Sequence, residues 1–312
     1  MIVVLTGGTG GAKFVQGLQQ VLPPQDITVI VNTGDDLAWW GLHVSPDIDS
    51  VVYALAGILS SDRGWGVEGD TFSCLEWMKQ LGAPGWFQLG DRDLATHLRR
   101  TQLLRDGKSL AEATAEISAS FGVRSTISPM SNDRVETRVM SSIGDLSFQE
   151  YFVRERFQVE AQEVRYAGAE AAHAAPGVGE AIMRADAVFI APSNPVTSIG
   201  PLLAIAEFAE ALMKTSATVV AISPIVGGAA VSGPAGALMQ AYGLPVSPEG
   251  IAKYYRDFVD VLIIDKQDAG ITPAKIGEVE IASANTVMKR TEDKAALAWV
   301  AMELANARTL KA

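Results

Sequence analysis

The 312-residue chain has one cysteine, Cys74, and only three histidines, His43, His97 and His173. One thiol makes no internal disulfide and no cysteine metal cage, and three scattered imidazoles show no zinc spacing. Basic charge is also short: 25 Lys and Arg against 36 Asp and Glu leave a net charge of −11. General nucleic-acid binding needs a basic stripe, so that class is excluded. A single nucleotide is still allowed, because a local cluster can oppose the global sign. The longest apolar stretch, 217–231, is broken by Pro224, Gly227 and Gly228, so it is not a membrane span. The chain opens on a core-type strand with no basic leader, which sets the expectation of a cytoplasmic protein without a membrane partner.

What is present begins at residue 2. Ile2 to Leu5 read as a buried strand that runs into Thr6-Gly7-Gly8-Thr9-Gly10-Gly11-Ala12-Lys13. A strand ending in a glycine-rich turn that opens a helix lets backbone N–H groups approach an anion, and the helix N-terminus adds partial positive charge. Gly7, Gly8, Thr9, Gly10, Gly11 and Lys13 are therefore candidate phosphate contacts. The turn fits neither standard fingerprint. A P-loop needs glycine before the lysine, where Ala12 stands, and Ser or Thr where Phe14 stands. A dinucleotide loop read from Gly8 needs glycine at its sixth place, where Lys13 stands. A bare βα turn without a ligand is the plain alternative.

The pattern along the chain predicts an α/β fold: a Rossmann-like, doubly wound, mostly parallel sheet with a helical insertion and a small antiparallel β element. We expect one domain over 1–312, with the insertion at about 47–122 and the β element at about 124–167. Strands are expected at 27–31, 187–191, 218–223 and 261–265, and helices at 13–22, 49–59, 71–81, 91–105, 109–121 and 198–214. Ser109 with Glu112 three residues on forms a capping-box signature. Residues 134–140 and 146–153 alternate and read as a hairpin-like pair. In such folds ligands sit beyond the carboxyl ends of the strands. The turns 7–13, 32–36, 192–195 and 224–228 should then share one rim.

Several residues on that rim carry candidate chemistry. Asn32-Thr33-Gly34-Asp35-Asp36 ends a strand, and Asp47 and Asp49 follow in Ser45-Pro46-Asp47-Ile48-Asp49. Magnesium takes one or two carboxylates plus substrate phosphate oxygens, so Asp47 and Asp49 are the candidate metal ligands, although either can simply cap the helix. Arg92 in Gly90-Asp91-Arg92-Asp93 can fork onto phosphate or a carbonyl-rich ring. His97 can titrate near neutrality, or can be a satisfied structural histidine. Ser193 and Asn194 either face a ligand or cap the next helix.

The strings GGTGGAK, NTGDD, SPDIDSVVYAL, GDRGWG, WFQLGDRDLATHLRRTQLLRDG, PMSNDRVET, FQEYFV, PSNPVTSIGP and SPIVGGAAVSGPA occur in this order across nearly the whole chain. Together they closely resemble the CofD/FbiA family, the 2-phospho-L-lactate transferases of factor 420 biosynthesis. The resemblance implies transfer of a phospholactyl or related group from a guanosine diphosphate-linked donor to the ribityl hydroxyl of the deazaflavin Fo. It also implies release of GMP, a Mg2+ requirement and a homodimer. Carried onto this sequence, it places Asp49 and Arg92 against the deazaflavin and Asp47 near the metal or acceptor hydroxyl. The glycine turn and Asn32 then face the donor's phosphates, and Ser193, Asn194 and Ser198 the nucleotide. Gly34, Asp36 and His97 complete the candidate binding set, and Asp49 is the expected general base. Asn132 stands where many members have Asp, which removes an acidic role there. The three-carbon acid is left open, with the enolpyruvyl donor suggested by GDRGWG. A YvcK-like regulator that binds a nucleotide sugar without catalysis is the alternative.

Overall fold

The structure, a computed structural model, describes residues 1–231 and 233–309. The chain runs β1 (Ile2–Thr6), α1 (Thr9–Leu18), β2 (Ile27–Val31), β3 (Leu37–Trp39), β4 (Leu42–Val44), α2 (Pro46–Leu55), α3 (Ser73–Gln80), α4 (Asp91–Arg105), α5 (Leu110–Ser120) and β5 (Thr126–Pro129). It continues through β6 (Glu136–Ser141), β7 (Gly144–Ser147), β8 (Ala161–Ala167), α6 (Val178–Arg184), β9 (Ala187–Ile190), α7 (Gly200–Leu203), α8 (Ala206–Lys214) and β10 (Thr218–Ile222). The last elements are β11 (Ile225–Val226), β12 (Ala229–Ala230), α9 (Ala235–Ala241), α10 (Pro248–Tyr255), β13 (Val261–Asp265), β14 (Lys275–Ile276), β15 (Val279–Ala284) and α11 (Thr291–Thr309).

Eight strands form the central sheet in the order β14-β15-β13-β10-β9-β1-β2-β5. Every pairing in it is parallel except β14 with β15. The central strands are apolar runs because both faces are covered; all five residues of β1 are buried. One hydrophobic core lies between the sheet and α1, α2 and α11, the other beneath α6 to α10. At Gly17 a Cβ would lie 2.2 Å from the Lys294 carbonyl oxygen, so α1 and α11 cross in near-backbone contact there. The chain leaves β1 for β2 on one side and returns as β9 on the other. That is a topological switch point, and its crevice opens at the carboxyl ends of β1 and β9.

Three local expectations are revised. The helix expected over 13–22 begins at Thr9, inside the glycine turn, and ends at Leu18. The helix expected over 198–214 is broken into a wide turn, Pro195–Ile199, then α7 and α8, with a bend of 86°. Pro201 has no N–H to continue a regular ladder, and Tyr166 holds the wide turn by donating its hydroxyl to the Val196 carbonyl at 2.7 Å. The pair at 134–153 is a three-stranded sheet, β7-β6-β8, and its second strand stops at Ser147 before a wide helical turn, Glu150–Arg154. Among the described residues no single helix is long and apolar enough to cross a membrane.

Candidate active site

The first turn of α1 starts at Thr9 and its N-cap, Gly8, offers no side chain to the helix amides. Those amides have no partner within the helix, so they remain open to an anion. Each glycine of the turn also admits a neighbour. A Cβ on Gly7 would lie 2.4 Å from Ser198 Oγ, on Gly8 2.6 Å from Asp47 Oδ1, and on Gly11 1.4 Å from Thr6 Oγ1. Ser193 Oγ accepts from the Gly7 amide and pairs with Thr6 Oγ1, both at 3.3 Å. The ends of β1 and β9 and the start of α2 therefore meet on one rim.

Asn32 ties the end of β2 into it. Its amide donates to Asp47 Oδ2 at 2.9 Å and to the Thr197 carbonyl at 3.1 Å, and its oxygen accepts from the Gly34 amide at 2.8 Å. Gly34 is needed because a Cβ would meet Thr137 Oγ1 at 2.7 Å and Pro201 Cγ at 2.9 Å. The Gly34 carbonyl accepts from the Thr137 amide at 2.7 Å, which draws β6 against the rim.

Three carboxylates gather here. Asp36 Oδ2 lies 2.9 Å from His43 Nε2 and accepts from Ser45 Oγ at 2.7 Å. Burial raises the Asp36 pKa above the usual carboxylate range. Burial and the neighbouring Asp47 charge raise Asp35 well above it. Burial, opposed by the Asn32 hydrogen bond, and the Asp36 charge push Asp47 up to about 7. Asp35 Oδ1 and Asp36 Oδ1 are buried without a hydrogen-bond donor. Orphaned, mutually repelling carboxylate oxygens suit a divalent cation. Among the described residues no three His, Cys, Asp or Glu side chains form a metal cage. A divalent cation held here would need most of its ligands from water and substrate, a pattern that magnesium tolerates.

Asp49, expected beside Asp47 at the metal, is elsewhere. It is 4% exposed, and both its oxygens are taken by the guanidinium of Arg100, with Nη1 on Oδ2 at 3.0 Å. His97, expected to contact a ligand, is 1% exposed; Nδ1 lies 3.5 Å from Asp49 and Nε2 lies 3.3 Å from Asp93. Tyr53 donates to Asp93 at 2.9 Å. This charged seam joins α2 to α4 and carries neither residue into the crevice. Helical geometry explains the split: residues two apart on α2 point about 200° from each other. Arg100, wholly buried, was not singled out from the sequence. Its signal is the spacing Asp93, His97, Arg100, which is i, i+4, i+7 on one face of α4.

Other expected contacts divide in the same way. Arg92 is exposed at the start of α4, where Nη1 donates to the Glu68 carbonyl at 3.2 Å. Gly90 leaves space for the Asp70 carboxylate, which caps α4 through the Arg92 and Asp93 amides at 2.8 and 3.0 Å. The loop that carries Asp70 reaches the glycine turn, since Thr9 Oγ1 donates to the Gly64 carbonyl at 3.3 Å. Lys13 is exposed and lies close enough to Lys294 to help lower that ammonium's pKa, after burial. Asn194 uses its side-chain oxygen to cap the wide turn at the Val196 and Thr197 amides. The turn at 224–228 offers no open nest: the Gly227 and Gly228 amides donate to the buried Asp268 carboxylate at 3.0 and 2.8 Å.

With this geometry in hand, the relatives are informative. A family model described as 2-phospho-L-lactate transferase CofD matches residues 2–303. The chain is 40% identical over 304 residues to a 2-phospho-L-lactate transferase of Methanosarcina mazei, covering 97% of this chain and 99% of that one. It is 43% identical over 311 residues to a phosphoenolpyruvate transferase of Streptomyces griseus, covering 97% and 98%. A crystal structure of a UPF0052 family member from Bacillus halodurans superimposes with a TM-score of 0.63 over 96% of this chain and 98% of that one. At 18% identity that likeness speaks to the fold alone.

Proposed function

The chain belongs to the 2-phospho-L-lactate transferase CofD family, and on that premise we propose how this transferase works. It moves a phospholactyl-type group, lactyl or enolpyruvyl, from a guanosine diphosphate-linked donor to the ribityl hydroxyl of the deazaflavin Fo. The hydroxyl oxygen attacks the phosphorus bearing the three-carbon acid. A new oxygen–phosphorus bond forms, the bond to the bridging oxygen breaks, and GMP leaves with the electron pair. Such chemistry asks the protein for alignment and charge control more than for covalent help.

The observation that carries this reading is the meeting of the glycine turn with the Asp35, Asp36 and Asp47 carboxylates at the switch point. The first-turn amides of α1 receive the diphosphate, and Ser193 and Ser198 flank it. Asp47 and Asp35 would hold Mg2+, which would supply charge neutralisation to the diphosphate. Asp36 accepts the hydroxyl proton, with Ser45 and the partly exposed His43 imidazole as its hydrogen-bond partners. Asp49, neutralised by Arg100, positions α2 instead of acting as the base. Arg92 lies on the acceptor side.

Incubation with Fo, Mg2+ and each guanosine diphosphate-linked donor tests this directly. One donor should yield GMP and a product whose mass is that of Fo plus the corresponding phospho-acid, less water. No GMP with the lactyl, enolpyruvyl or glyceryl donor overturns the proposal.

A further inference from the structure

A carboxylate of the protein's own stands beside the anion cradle. Asp47 lies across the mouth of the glycine turn, and its two oxygens approach the two glycines in order. A Cβ on Gly8 would be 2.6 Å from Oδ1 and 3.4 Å from the Asp47 Cα, and one on Gly7 would be 3.1 Å from Oδ2. The Asn32 amide fixes Oδ2 at 2.9 Å. The Gly8 backbone is near enough to the same carboxylate to lower its pKa against the larger, opposite effect of burial. Any phosphate seeking these backbone donors meets a carboxylate pinned in front of them, with Asp35 and Asp36 close behind.

Two anions cannot share one set of donors without a counter-charge. We propose that Asp47 is a specificity-determining residue that rejects metal-free anions from the glycine turn and admits a nucleoside diphosphate only together with a divalent cation. Asp47 would then serve the cation as a ligand, and the cation would supply the positive charge that lets carboxylate and phosphate lie side by side. Metal and nucleotide then raise each other's affinity by the same factor, as linkage requires. Inorganic phosphate, sulfate and the chelator-stripped nucleotide are refused by like-charge repulsion. The inference rests on the reading of this rim as the donor site.

The test is calorimetric binding of GDP to the full-length protein, with Mg2+ and with EDTA, for the wild type and Asp47→Asn. The amide keeps the shape of the side chain and an acceptor for Asn32, so the fold is retained, which a melting curve verifies. Wild type should bind GDP about tenfold or more tightly with Mg2+ than with EDTA. In EDTA, Asp47→Asn should bind GDP about fivefold or more tightly than wild type does, even though a metal ligand has been removed. With Mg2+ the variant should bind more weakly than wild type. Pyrophosphate in place of GDP should repeat the pattern, since the effect concerns the phosphates alone. If wild type binds GDP with Mg2+ but Asp47→Asn gains nothing in EDTA, the inference is overturned and the donor site stands. If wild type does not bind GDP even with Mg2+, the donor site itself is overturned.

Discussion

Asp47 and Asp49 are two residues apart on α2, yet their loss should move stability in opposite directions. Asp49→Asn removes the charge that faces Arg100, a guanidinium with no exposed surface and an unpartnered Nε. Breaking a buried ion pair by deleting one partner costs about 3–5 kcal/mol, because the remaining charge is stranded. Asp36 and Asp93 lie near enough to Arg100 to share its field, so about 3 kcal/mol is the expected loss. Asp47→Asn should do the reverse. The Asp47 pKa is raised from 3.8 to about 7, and at about 1.4 kcal/mol per unit its ionised form destabilises the native state at pH 8 by up to about 4 kcal/mol. Neighbouring acids relax as one charge is removed, so a gain of about 1–2 kcal/mol is expected. Urea unfolding at pH 8 in EDTA measures both changes. A stability for Asp49→Asn within 1 kcal/mol of wild type would refute the buried seam. It would also return Asp49 to the list of groups free for chemistry.

Two further outcomes follow from the same geometry. For the metal-free protein, an acid whose folded pKa lies above its unfolded value binds more protons in the native state. Stability should therefore fall as pH rises from about 4 to about 7, and Tm should be lower at pH 8 than at pH 6; added Mg2+ should shrink that difference, and a Tm that rises with pH over this window would contradict it. Asp93 and Asp265, whose pKa values are lowered, act with opposite sign but only in acid, below about 4. Arg92→Ala removes an exposed side chain with a single carbonyl hydrogen bond, so stability should change by less than about 0.5 kcal/mol, while Fo affinity, followed by fluorescence titration, should drop about tenfold; unchanged affinity would take Arg92 off the acceptor side.

Much of the scaffold was legible because it is written locally. β2 and α4 match the expected bounds of 27–31 and 91–105. Ser109 and Glu112 make the capping box that their spacing announces. Strand-end turns meet on one rim because parallel βα units leave no other place for them. What stayed hidden depends on partners far along the chain. The 224–228 turn is expected on the ligand rim, but Asp268, 40 residues beyond Gly228, takes the Gly227 and Gly228 amides. Asn194 was readable as ligand contact or cap, and its oxygen caps. Asn132, in place of an acid, accepts from the Ala111 amide at 2.9 Å and so anchors α5. The Asp47–Asp49 assignment is different in kind, because the helical period alone was enough to send them to opposite faces.

The rim combines a satisfied charge layer behind α2 with an unsatisfied one in front. Behind, Arg100, His97 and Tyr53 give Asp49 and Asp93 partners, and against burial, the largest single influence, His97, Tyr53 and Arg100 together lower the Asp93 pKa. In front, Asp35, Asp36 and Asp47 are crowded together, His43 and the field of Arg100 relieve Asp36 only in part, and all three are raised. A chain selected only for stability would replace or pair these acids, since each costs free energy as pH approaches neutrality. Uncompensated charge confined to one rim, backed by a rigid and neutralised seam, is what a site that imports its own cation requires. The net charge of −11 therefore does not oppose phosphate chemistry here. On the proposed reading it makes that chemistry conditional on a metal, while the Asp49–Arg100 pair ties α2 to α4 behind the rim.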